Sequence, residues 1–211
     1  MSLFITFEGG EGSGKSVQAR SLYDKMIRLD MPVILTFEPG GTPFSIKVGR
    51  WLKWAKDEEI SPLTELFLFN AARAQLVAKV IKPKLEVGNT VICDRYADST
   101  TAYQSYGRGL DLATVVKINN LATSGLKPDL TFLLDIPAGE GLIRKKNKNY
   151  DRFEQTDQTF HQRVREGYLK MAREEPQRWM IIDATQAKPA IAQIIWERVS
   201  QLLLQSGKSK A

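Results

Sequence analysis

Near the start of the chain, Gly9-Gly10-Glu11-Gly12-Ser13-Gly14-Lys15-Ser16 satisfies G-x-x-x-x-G-K-[ST] without a mismatch. The chemistry this spacing supports is the grip of a polyphosphate. Glycines let successive backbone N–H groups turn inward around an anion, and a helix starting there adds partial positive charge. Lys15 supplies a full charge for β- and γ-phosphates, and the Ser16 hydroxyl stands where it can ligate Mg²⁺. The motif follows the apolar run Leu3 to Phe7 and opens a helical pattern, the context that gives it meaning. A complete motif between a strand and a helix is set apart from an idle glycine-rich turn.

An acid is expected beside the metal, and two residues compete for the role. Asp94 and Asp135 each end an apolar run. Asp94 is preferred because Arg95 follows it, joining a carboxylate and a guanidinium at one strand end; a local salt bridge is the alternative reading. Both sit within a larger pattern. Five short apolar runs, Leu3 to Phe7, Val33 to Phe37, Thr90 to Cys93, Leu130 to Leu134 and Trp179 to Ile182, read as strands buried on both faces. Helical patterns lie between and after them, at Lys15 to Leu29, Phe44 to Trp54, Thr64 to Pro83, Leu112 to Ser124, Thr159 to Glu174 and Pro189 to Leu204. The expected fold is α/β, a five-stranded parallel sheet in a three-layer α/β/α arrangement. Ligands then bind beyond the carboxyl ends of the strands. Those ends are Glu8-Gly9, Glu38-Pro39, Asp94-Arg95, Asp135 and Asp183, so every one carries an acid.

The 211 residues suit one domain over 1–205 with a polar tail at 206–211. The single cysteine, Cys93, excludes an intramolecular disulfide, and its apolar run makes it a small buried hydrophobe and no nucleophile. No basic-then-apolar leader opens the chain and no run approaches a membrane span, so a cytoplasmic enzyme without a membrane partner is expected. The net charge of +6 favours polyanionic partners, which could be nucleic acid or nucleotide phosphates. The one basic cluster, Arg144-Lys145-Lys146-Asn147-Lys148, is read on composition alone as a solvated face.

A guanine-reading N-K-x-D is absent, because Asn147-Lys148-Asn149-Tyr150 puts Asp151 one place late. What remains is a small kinase. From about Leu3 to Leu204 the chain resembles the thymidylate kinases. The matching segments are Phe7-Glu8-Gly9 through Ser16, Glu38-Pro39-Gly40-Gly41-Thr42, Leu68 through Gln75, Asp94-Arg95-Tyr96, Ser99 through Gln104, and Asp151-Arg152-Phe153-Glu154. The resemblance implies ATP-dependent phosphorylation of dTMP to dTDP in a nucleoside monophosphate kinase fold, by a homodimer acting on small nucleotides and not on nucleic acid. It places Asp94 beside Lys15 and the Mg²⁺ ion, Arg95 on the acceptor phosphate, and Glu38 beside the donor–acceptor junction. It also implies that Phe69 stacks on thymine, that Arg73 hydrogen-bonds the ring, and that Ser99, Thr100 and Gln104 line the base pocket. Tyr103 then crowds the sugar 2′ position, and Glu11 points to the acceptor sugar. Phe69 and Arg73 are four residues apart on a predicted helix, so they share a face on physical grounds as well.

Some family members carry a basic residue inside the phosphate loop and others in a lid. Here Gly10-Glu11-Gly12-Ser13 has none, so the lid at 138–157 is expected to supply the charge, through Arg144 or Arg152. The lid carries lysines at 145, 146 and 148 where many members have a second arginine. The reaction needs no general base, since a nucleoside monophosphate is already largely dianionic, and His161 lies in a predicted charged helix. Alignment and charge neutralisation remain the protein's task. The alternatives are a kinase for another monophosphate, a basic ATP-dependent nucleic-acid-binding module, and a non-catalytic nucleotide binder. Length-dependent affinity for DNA with steep salt dependence would separate the nucleic-acid reading from a small-molecule kinase.

Overall fold

The computed structural model describes residues 2–55, 59–144 and 151–208. Five parallel strands form its sheet: β1 (Phe4–Glu8), β2 (Val33–Phe37), β3 (Thr90–Asp94), β4 (Leu130–Asp135) and β5 (Trp179–Asp183). Their spatial order is β2-β3-β1-β4-β5. Phe37, Asp94 and Phe7 are level across β2, β3 and β1, and Asp135 is level with Asp183, so the acidic strand ends form one rim.

Strand alternation assigns residues to the two faces. Ile5, Phe7, Ile92, Phe132 and Leu134 join one core cluster with Leu22 and Met26 of α1 (Lys15–Arg28) and Ile191, Ile195 and Val199 of α9 (Lys188–Lys208). Phe4, Val91, Cys93 and Leu133 point the other way. They meet α3 (Pro62–Leu76) and α8 (Gln158–Glu174), which share that face with α6 (Leu112–Thr123). Each such side chain removed from water contributes roughly 1.5–3 kcal/mol. Helices therefore cover the sheet on both sides, with α1 directly behind the phosphate loop. Cys93 is completely buried, as its apolar run led us to expect.

The strands fall within a residue of their expected bounds; the helices depart more. α2 (Pro43–Trp54) starts after Thr42, whose hydroxyl accepts the Ser45 N–H. The run expected as one helix from Thr64 to Pro83 is α3, capped by Ser61, then a π-helical turn at Val77–Ile81, then α4 (Lys82–Glu86). Pro83 explains the break, since its ring clashes with the preceding turn and it lacks an N–H; the wider turn relieves both. Residues that showed no helical period also fold as helix. These are α5 (Ala97–Thr100), continuing as a π-helix over Thr101–Gly107, and α7 (Ala138–Arg144). α9 runs on to Lys208, past Leu204, where the helical pattern was expected to end. Among the described residues no helix is long and apolar enough to cross a membrane.

Candidate active site

The phosphate loop leaves β1 at Gly9 and enters α1 at Lys15. Gly12 and Gly14 take left-handed φ angles of 69° and 89°. A Cβ on Gly12 would lie 1.9 Å from the Gly141 carbonyl oxygen, and one on Gly141 would lie 2.2 Å from the Glu11 carbonyl oxygen. The loop and α7 thus pack backbone to backbone, which only glycine on both sides permits. Lys15 is buried and its Nζ donates to the Gly10 carbonyl at 2.6 Å and to Ser13 Oγ at 3.2 Å. Burial, then the nearby Arg95 charge, bring its pKa down to about 8.

The Ser16 hydroxyl donates to Asp94 Oδ2. The other oxygen of Asp94 is buried without a hydrogen-bond partner, a state that costs free energy until a cation or donor meets it. Asp135, the competing acid, is held by Arg165 of α8 through two bonds of 2.7 and 2.9 Å. The geometry favours Asp94.

Arg95 follows with φ 71°, a left-handed conformation that costs a non-glycine residue on the order of 1–3 kcal/mol. Its backbone is fixed on both sides, by its N–H on the Phe7 carbonyl and by the Cys93 thiol on its own carbonyl. The strained turn sends the guanidinium over the phosphate loop. There it donates to the Gly9 carbonyl at 3.2 Å, Ser99 Oγ at 3.1 Å and Tyr103 Oη at 3.3 Å, and pairs with Glu11 at 2.8 Å. Tyr103 Oη donates to the same Glu11 oxygen at 2.9 Å.

One cavity of about 1030 Å³ connects these groups, at the upper end of the range for ligand pockets. Its walls include Glu11, Gly12, Gly14, Lys15, Ser16, Glu38, Phe69, Arg73, Asp94, Arg95, Ser99, Thr100, Tyr103, Gln104 and Arg144. Gly9, Gly10 and Ser13 shape the loop behind that wall. Arg73 is 1% exposed and all five of its N–H groups are engaged, with Glu38, Asn70, Asn119, Thr100 and the Tyr96 carbonyl. A ring carbonyl therefore reaches it only by displacing or sharing one acceptor, and Glu38, at 2.7 Å, and Thr100, at 2.8 Å, are its partners on the cavity wall. Burial raises the pKa of Glu38 against the pull of Arg73, and Glu38 Oε1 has no partner.

The two lid arginines are separated. Arg144 lines the cavity and donates to the Ala184 carbonyl at 2.8 Å. Arg152 does not line it; its guanidinium is drawn to the Leu52 carbonyl and, at 2.6 Å, to the buried carboxylate of Glu65. Lys145, Lys146 and Lys148 lie outside the described residues. His161 faces the core of α8 beside Thr156 and Phe160, with burial lowering its pKa, so it offers no base to the cavity.

Three site residues carry no role in the sequence reading. Phe153, an apolar residue in a polar segment, completes an aromatic wall with Phe69 at 5.7 Å and Tyr103 at 6.2 Å between ring centres. Glu65 is taken up below. Glu8, a charge at the end of an apolar strand, is fully buried and accepts the Tyr96 N–H at 2.7 Å and the Ser99 and Tyr168 hydroxyls at 2.6 and 2.9 Å. Burial, then the Asp98 charge, push its pKa up to about 7. A folded pKa above the unfolded value contributes stability that is complete below about 4.5 and is lost as pH rises through about 7. Glu8→Gln keeps the shape without the charge. Between about pH 4.5 and 8, the wild type should lose roughly 2–3 kcal/mol relative to this variant, measured by denaturant unfolding. Parallel pH profiles would remove burial of the charge as the cause.

A family model described as thymidylate kinase matches residues 7–195, which spans the whole of this site. The chain belongs to the thymidylate kinase family. It is 54% identical over 203 residues to a thymidylate kinase of Dehalococcoides mccartyi, covering 96% of this chain and 98% of the relative. A thymidylate kinase of a Roseiflexus species is 49% identical, with 92% of each chain covered. The crystal structure of thymidylate kinase from Ehrlichia chaffeensis superposes with a TM-score of 0.76 at 34% identity, covering 94% of this chain and 98% of that one. The fold is that of a P-loop nucleoside monophosphate kinase, and the chain is an enzyme of the thymidylate kinase family.

Proposed function

We propose that this enzyme moves the γ-phosphoryl group of ATP to dTMP across this cavity, with ATP at the phosphate loop and dTMP at the aromatic end. The observation that carries the reading is continuity: one cavity is lined by Lys15 and Ser16 and also by Phe69, Tyr103 and Gln104, and Arg95 between them bonds to the Gly9 carbonyl of the phosphate loop and to Tyr103. Lys15 exchanges the Gly10 carbonyl for phosphate oxygens, and Arg95 leaves Glu11 to hold the acceptor phosphate. Glu11, which also accepts from Tyr103, then faces the acceptor sugar, whose 2′ side Tyr103 crowds. Phe69 and Phe153 flank the base, Ser99 and Thr100 close its pocket, and Arg73 and Gln104 read its edge. Glu38, holding Arg73, stands beside the junction.

Ser16 and the unpartnered oxygen of Asp94 suit a Mg²⁺ ion, which when bound neutralises charge on the polyphosphate. Arg144 is the lid base at the cavity. Its bond to Ala184 puts it beside the loop after β5, and in this reading the segment Asp183-Ala184-Thr185-Gln186 there contacts adenine. Closure of the lid over the phosphates excludes water that would otherwise hydrolyse ATP.

The α2, α3 and α6 helices pack in series, and Trp51, Trp54, Leu63, Phe67, Leu112 and Val116 on them are each more than a third exposed. That supports a homodimer through these helices; sedimentation equilibrium showing only monomer would remove it. Solubility in the cytoplasm is part of the same reading.

The test is a coupled ADP-release assay over dTMP, dUMP, dCMP and UMP. We expect dTMP first, dUMP weaker because one buried methyl is worth about 0.8 kcal/mol, and dCMP and UMP far behind. Equal kcat/KM for dTMP and dCMP would reduce the enzyme to a general monophosphate kinase.

A further inference from the structure

Glu65 lies on α3 one turn before Phe69, fully buried and outside the cavity wall. Its two oxygens accept from Gln104 Nε2 at 2.7 Å, Arg152 Nη2 at 2.6 Å and Arg108 Nε at 3.3 Å. Arg108 and Arg152 cannot present anything but donors. Gln104 can, because a carboxamide carries two N–H donors at one end and an acceptor oxygen at the other. Facing a carboxylate, which only accepts, the carboxamide must turn its NH₂ end to Glu65. Its carbonyl oxygen is then the end left for the cavity that Gln104 lines.

We propose that Glu65 is a positioning residue for base selection: it fixes the Gln104 carboxamide so that the pocket offers an acceptor to the pyrimidine 3-position. A 4-oxo pyrimidine carries N3–H and satisfies that acceptor. A 4-amino pyrimidine has a bare N3 lone pair there, so two acceptors oppose each other in a site closed to water. Glu65 touches no substrate, and the effect passes through one rotatable amide. This inference rests on the aromatic end of the cavity being the pyrimidine pocket.

The discriminating variant is Glu65→Gln. A carboxamide at position 65 can donate or accept, so Gln104 becomes free to turn either end to the cavity. The ratio of kcat/KM for dTMP over dCMP should fall by about tenfold or more. That ratio is independent of how much of the variant is active, so a partly destabilised preparation still reports it. Adding Gln104→Glu to Glu65→Gln should restore the ratio, since a carboxylate at 104 presents oxygen whichever way it turns. A fall in both substrates with the ratio unchanged would mean that Glu65 is merely structural, and would overturn the proposal. Equal use of dTMP and dCMP by the wild type would instead overturn the pocket reading beneath it. The wild-type enzyme crystallised with dTMP provides a check that needs no variant. Gln104 should keep its bond to Glu65 and place its other end on N3; a carboxamide detached from Glu65 contradicts the proposal.

Discussion

Lys15→Ala is expected to lower kcat by about 10²–10³-fold or more while the protein stays folded. The ε-ammonium is buried, bonded only to the Gly10 carbonyl and Ser13 Oγ, and forms no salt bridge among the described residues. It still carries its proton at neutral pH, because a pKa of about 8 keeps most of it charged. A desolvated cation held against neutral oxygens gains most when negative charge spreads over a transferring phosphoryl group. Its removal deletes that gain and leaves no buried carboxylate unpaired, so thermal unfolding should not shift downward appreciably. Turnover near that of the wild type in a coupled assay would refute the placement of ATP at this loop.

Arg95→Ala and Arg144→Ala should separate by which constant they change. Arg95 sits at the junction of loop and base pocket, with Glu11, Ser99 and Tyr103 around it. Its loss should raise KM for dTMP, lower kcat, and reduce kcat/KM by on the order of 10²–10³-fold, since it removes the guanidinium we propose for the charge-assisted grip on the acceptor phosphate. Arg95→Lys should recover only part, because the fork geometry goes while the charge stays. Arg144 lines the cavity and in the proposed arrangement faces the donor, so its loss should lower kcat with little change in KM for dTMP. Initial-rate kinetics with dTMP varied at saturating ATP read both. An Arg144 variant that loses dTMP affinity and keeps its turnover would make the lid an acceptor clamp.

Much of this site is visible in the chain because its signals are local. The phosphate loop is contiguous, and the apolar runs place each strand and the acid at its end; β2 begins and ends where its run does. What local reading misses depends on contacts made across the chain. Ala97 to Gly107 lacks an apolar period and contains β-branched and glycine residues of weak helix propensity. Its helical form is secured by Asn119 on the Ala97 carbonyl and Thr101, and by Arg163 on the Gly107 carbonyl. α7 is short and holds two glycines, yet Gly141 is required for the close approach to Glu11. In sequence only the Arg95 that follows it sets Asp94 apart from Asp135; in the fold Arg165, thirty residues beyond Asp135, takes the competing acid. Glu65 and Glu8 read as ordinary charges in sequence, and only burial with donors from four other segments makes them organising centres.

The central claim is that the γ-phosphoryl group of ATP ends on dTMP. Phosphorus NMR of the purified enzyme with ATP, dTMP and Mg²⁺ follows donor and acceptor together. The expected spectrum gains the β-phosphorus of dTDP in step with that of ADP, with no inorganic phosphate and no change when dTMP is left out. ADP formed with inorganic phosphate and no dTDP, or no consumption of dTMP at all, would contradict it.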